Sequence, residues 1–86
     1  MNETLTLNDG TVLENSYAYE VTGKLYLYIR AGLNIVEVFS LLADPEKTEK
    51  IKCNRYGTET IFEGYEAITC VSDEGDGMIT AIMRKV

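Results

Sequence analysis

The side chains that could do chemistry in this chain are its carboxylates, and their densest run is Ser72-Asp73-Glu74-Gly75-Asp76-Gly77. Glu74-Gly75-Asp76-Gly77-Met78-Ile79 imitates the middle of an EF-hand calcium loop, where oxygen ligands at alternate positions and a turn-making glycine wrap the ion. The ends do not fit. Ser72 would be the first ligand, and Met83 stands at the twelfth position, where calcium needs a bidentate carboxylate. Both flanks alternate like strands, so the sequence predicts a solvated hairpin loop, with a weak divalent site as the alternative.

Other constellations lack parts. The chain has no histidine, which removes Ser-His-Asp and Cys-His pairs and the common imidazole metal sites. Fourteen acids leave a paired-carboxylate enzyme formally open, but each falls on a turn, a helix flank or the solvent side of a strand. The glycines are scattered turn punctuation with no phosphate-cradling spacing, and no cofactor motif is present. Cys53 and Cys70 form no C-x-x-C pair, and on strands of a cytosolic protein they read as small apolar packing residues, with a disulfide as the alternative.

Charge narrows the partners. With 8 basic against 14 acidic residues the formal charge is −6, and the average field repels a phosphate backbone, so direct nucleic-acid binding is not expected. Lys47, Lys50, Lys52 and Arg55 are the only basic cluster, and Glu46 and Glu49 interleave with it, giving a mixed-charge surface. No apolar run is long enough to span a membrane, and MNETLTLNDG has neither the basic segment nor the apolar stretch of a secretory signal. A cytoplasmic protein of one domain, residues 1–86, is expected.

The elements that must position these groups follow from pattern. Glu3 to Leu7 reads as a strand entering the Asn8-Asp9-Gly10 turn, and a second strand resumes at Thr11 and continues to Val21. Lys24 to Arg30 alternates strictly, with Leu25, Leu27 and Ile29 on one face. Asn34 and Glu37 form a capping-box variant, after which Ile35, Val38, Phe39 and Leu42 take helical spacing over about residues 34–44; Asp44-Pro45 ends it. Strands follow at Lys50–Arg55, Thr58–Glu63, Tyr65–Ser72 and Met78–Lys85, with Gly64 a turn or bulge. The order is β-β-β-α-β-β-β-β: an α+β fold of about seven short strands, a mainly antiparallel sheet or small barrel or sandwich, with one helix. Leu25, Leu27, Ile29, Ile35, Val38, Phe39, Leu42, Ile61, Ile68 and Ile82 are the expected core.

The candidate functional surface comes from the turn at Thr22-Gly23. A two-residue hairpin there pairs Val21 with Lys24, which sets Tyr19 opposite Tyr26 and Tyr17 opposite Tyr28, because turn length fixes register. Four tyrosines then share the face away from Leu25, Leu27 and Ile29, with Lys24 and Arg30 at the rim. Such a patch can be a docking surface, a set of hairpin-stabilising pairs, or a second core layer beneath later strands.

The L-x-L-N-D-G-T-V-L start, the tyrosine-rich hairpin, the N-I-V-E-V-F-S-L-L-A-D-P helix and the Y-E-A-I-T-C-V-S-D-E-G-D-G end together resemble small proteins encoded in bacterial phage and prophage gene clusters. That resemblance implies a bacterial or phage cytoplasmic setting and a structural or accessory role through protein contacts. The leading expectation is therefore a small, acidic, non-catalytic interaction or assembly module that binds a protein partner or itself. An acidic inhibitor imitating nucleic acid and binding a DNA-binding protein is the alternative, and a carboxylate-dependent enzyme is third.

Overall fold

A computed structural model of the chain describes residues 3–73 and 75–86. Eight strands form two four-stranded antiparallel sheets. The first contains β1 (Thr4–Thr6), β2 (Val12–Glu14), β5 (Lys50–Arg55) and β6 (Thr58–Glu63) in the order β2-β1-β5-β6. The second contains β3 (Tyr17–Val21), β4 (Lys24–Ile29), β7 (Tyr65–Ser72) and β8 (Ile79–Lys85) in the order β3-β4-β8-β7. Between β4 and β5 come α1 (Ile35–Leu42) and one further helical turn, α2 (Pro45–Thr48). The result is an open α+β sandwich rather than a closed barrel.

Seven strands become eight because the run from Thr11 to Val21 does not stay in one sheet. Asn15 takes φ 56°, in the left-handed region that asparagine tolerates better than most residues, and the chain leaves the first sheet for the second. Ser16, fully buried, fastens the corner: its hydroxyl donates to the Glu14 carbonyl (2.9 Å) and accepts from the Arg30 N–H (3.2 Å), while its own N–H donates to the Glu3 carbonyl. Gly64, at φ 76°, makes the return crossing from β6 to β7, followed at once by buried Tyr65.

Between the sheets, Leu5 and Leu13, Ile51 and Cys53 of the first face Leu25, Leu27, Ile29, Ile79, Ala81 and Met83 of the second. Asn34 caps α1 as a full capping box, its side chain accepting from the Glu37 N–H (2.8 Å) while Glu37 accepts from the Asn34 N–H. Val38 and Leu42 are the residues by which α1 enters the core. Asp44 caps α2 with Pro45 at its first position, and Asn8 ties the first hairpin loop to α2 by donating to the carbonyls of Lys47 and Glu46.

Five expected core residues are not buried. Ile35, Phe39, Ile61 and Ile68 are exposed, and Ile82 is half-buried. On β6, Phe62 pairs with inward Ile51, so its neighbour Ile61 must point out beside Lys52. On β8, Ile79, Ala81 and Met83 take the inner face, leaving Ile82 outside with Thr80 and Arg84. Ile68 falls at a register shift between Ala67 and Thr69, a bulge that lifts it out of the alternation. On the helix the buried stripe is the 38/42 pair, not 35/39. Cys53 is buried in one sheet and Cys70 half-buried in the other, both free; burial pushes the Cys70 thiol up.

Two stability outcomes follow. Leu42→Ala should cost about 2 to 5 kcal/mol, whereas Phe39→Ala, at a side chain 41% exposed, should cost only about 1 to 2 kcal/mol; urea-unfolding midpoints of the two variants compare them. At the second hairpin turn Thr22 has φ 39° and Gly23 φ 78°, so a β-branched residue occupies the left-handed region. Thr22→Asn should raise the thermal midpoint, by about 0.5 to 1 kcal/mol of added stability, and a lowered midpoint would contradict the strain.

Candidate interaction surface

The β3–β4 hairpin has the register that a two-residue turn dictates: Tyr17 lies opposite Tyr28, Ala18 opposite Leu27, Tyr19 opposite Tyr26 and Val21 opposite Lys24. Because Leu25, Leu27 and Ile29 point into the core, all four tyrosines stand on the outer face of the second sheet. The first sheet packs on the other side, so this face is not a second core layer; Tyr19 is 43% exposed and Tyr17, Tyr26 and Tyr28 are half-buried by one another and their flanks.

The rings make a continuous stack. Tyr26 lies on Tyr19 (centroids 5.6 Å apart), Tyr19 on Tyr28 (5.6 Å) and Tyr28 on Tyr17 (5.0 Å), all within 28° of parallel. The stack ends at a residue from the other sheet: the Arg55 guanidinium sits 4.1 Å over the Tyr17 ring and 5.0 Å from the centre of Tyr56, and it forms an ion pair with Glu3. Cation–π contact with two aromatic rings and an ion pair with a carboxylate hold this arginine in place. Arg55 and Tyr56 were not legible as part of the site, since the pairing of hairpins across two sheets is a tertiary fact.

The rest of the face continues the same chemistry. Across β8 and β7, Tyr28 leads to Thr80 and Val71, and Tyr26 leads to Ile82 and Thr69. Lys24 lies in the next row, opposite Val21 and Arg84, at the end of the patch. Arg30 is drawn instead to the β7–β8 loop, where it pairs with Asp76 at 2.7 Å. In that loop Asp73 accepts from the Gly75 N–H and Asp76 from the Met78 N–H, so these carboxylates serve the turn itself. Glu74, the centre of the EF-hand-like segment, lies outside the described residues, and no cluster of metal-ligating side chains occurs among those described. No helix among the described residues is long and apolar enough to cross a membrane.

Tyr28 donates its phenolic hydrogen to the Tyr19 hydroxyl (3.2 Å). This bond, with burial and the charge of neighbouring phenolates added, pushes the Tyr28 hydroxyl up to about 12. A comparison with protein-family models, with curated proteins and with solved structures returned no match to the chain. The fold and the surface therefore have to carry the functional reading alone.

Since the folded state holds the Tyr28 proton above the ordinary tyrosine value near 10, the stabilisation is complete below that pH and is lost as pH rises through about 12. Ultraviolet titration of the phenolates should show a late-ionising tyrosine that shifts earlier in Tyr19→Phe, where the acceptor is gone. Superimposable titrations would contradict the hydroxyl pair.

Proposed function

We propose that the protein is a non-catalytic interaction or assembly module, and that the tyrosine face of its second sheet docks on a partner protein or on a second copy of the chain. The observation that carries this is the stack itself: four aromatic rings facing outward, joined by Ile82 and Val71, on a domain whose small size should favour burying such area within it. Rings already held against one another, and a guanidinium already placed over the last of them, lose little further freedom on binding, which lowers the entropic cost of association. Tyrosine and arginine are also the residue types that dominate the energetic centres of interfaces. A cytoplasmic, phage- or prophage-encoded setting belongs to the same proposal and rests on the sequence resemblance.

The experiment is a paired substitution, Tyr19→Ser with Tyr26→Ser, followed by circular dichroism and by light scattering across a concentration series. The variant should remain folded, because neither side chain faces the core, and should lose the association that the unaltered protein shows at high concentration or toward a purified partner. A folded variant whose association is unchanged removes the reading; an unfolded one assigns the rings to hairpin stability.

A further inference from the structure

A different surface lies at the opposite edge of the same sheet, where α1 leans against β7. Its starting point is a mismatch in the helix. Six of its eight residues are large and apolar, a composition that normally requires burial on all sides, yet only Val38 and Leu42 are buried. Val36 is 70% exposed, and Ile35 and Phe39 are turned outward beside Ile68, which the β7 bulge has lifted from the sheet. These side chains border a groove of about 360 Å³. At Phe39 it meets a larger depression of about 680 Å³ that is walled by Leu42 and Tyr65 and rimmed by Glu46, Glu49 and Glu66.

The walls say what kind of occupant fits. No lysine or arginine lines either depression, whereas three carboxylates do. Arg84 neutralises Glu66 (2.6 Å), but among the described residues Glu46 and Glu49 have no ion-pair partner. Lys85 lies over the Tyr65 ring and is held by the Glu63 carbonyl. Tyr65 is only 4% exposed, and its hydroxyl has no hydrogen-bond partner among the described residues, which leaves an unsatisfied polar group in a wall of the depression.

We propose that this double groove receives a cationic segment of a partner protein carrying one or two large apolar side chains. The apolar side chains seat against Phe39 and Ile68, and lysine or arginine side chains pair with Glu46 and Glu49 at the rim. The net charge of −6 favours the same partner at a distance, by drawing a basic segment toward the molecule before contact. The inference is independent of the tyrosine stack: β4 and β8 separate Tyr17 and Tyr19 from this groove, and none of the four tyrosines lines it, the surfaces meeting only at Thr69.

The test titrates isotope-labelled protein with a synthetic amphipathic lysine–leucine peptide and with a glutamate–leucine peptide of the same apolar pattern, read by amide chemical shifts. The lysine–leucine peptide should bind and move amides of residues 35–43 and 64–69, and binding should weaken as salt approaches about 1 M, where the Debye length is roughly 3 Å. Glu46→Lys with Glu49→Lys should weaken it by roughly tenfold or more with an unchanged melting temperature. Val36→Asp, at an exposed position, should do so as well. The proposal is overturned if the peptide does not bind, if the glutamate–leucine peptide binds equally, or if the shifts fall on the tyrosine face. It is equally overturned if light scattering shows a dimer that Val36→Asp dissolves, for then a second copy is the occupant.

Discussion

The structure depends on two single-residue corners. The chain passes from β4 to β5 through α1 and α2, but its other two changes of sheet are made without a long connection, at Asn15 and at Gly64, each held at positive φ. Each corner is followed immediately by a buried residue able to hydrogen-bond, Ser16 or Tyr65. The corner reverses which side of the chain faces inward, so the phase of every residue in β3 and β7 is set there. Through the β3–β4 turn the first corner also determines that the tyrosines point away from the core. Had the run from Thr11 to Val21 remained one strand, Leu13 and Ala18, five positions apart, would have faced opposite sides of one sheet; both are buried because the bend brings them into one core.

Ser16 shows how little is needed to hold such a corner and how poorly a sequence advertises it. Its hydroxyl accepts from the Arg30 N–H, a partly buried donor just past the end of β4, and so links the exit of one hairpin strand to the entry of the other. Beside the same corner Arg55 does a related task from outside, joining the end of β5 to Tyr17 on β3 by stacking rather than by hydrogen bonding. The tyrosine stack is thereby anchored to both sheets.

Much of the fold was legible in the sequence, and the reason is local. The β5 to β7 boundaries, the capping box at Asn34, the stop at Pro45 and the whole β3–β4 register depend on turn chemistry and period, which act within a few residues. What was not legible depends on contacts distant in sequence. Alternation and the helical stripe place Ile61, Ile82 and the 35/39 side of α1 in the core, but a strand such as Ile79–Lys85 carries apolar residues in both phases, and only the pairing with β4 decides between them. Thr80 and Arg84, on the same side as Ile82, were the available signal for the outer face. Arg55 and Tyr56 join the tyrosine surface for a reason no spacing could show, since Tyr17 and Arg55, the pair in contact, are 38 positions apart in the numbering.

The two sheets treat their outer faces differently, and that asymmetry bears on function more than any single residue. On the first sheet Lys50 pairs with Glu63 and Lys52 with Glu59 across the β5–β6 hairpin, a charged ladder that keeps its face and its β6 edge wet and unattractive to another strand. The outer face of the second sheet carries stacked tyrosines, Ile82 and Val71, and its β7 edge adjoins an apolar groove with a carboxylate rim. A chain that protects one sheet with alternating charge has the means to protect the other in the same way. Most exposed apolar and aromatic side chains therefore lie on the second sheet and α1, with Val12 and Ile61 scattered singly on the first sheet's outer face, and the proposed docking surfaces are the regions where the charged protection stops.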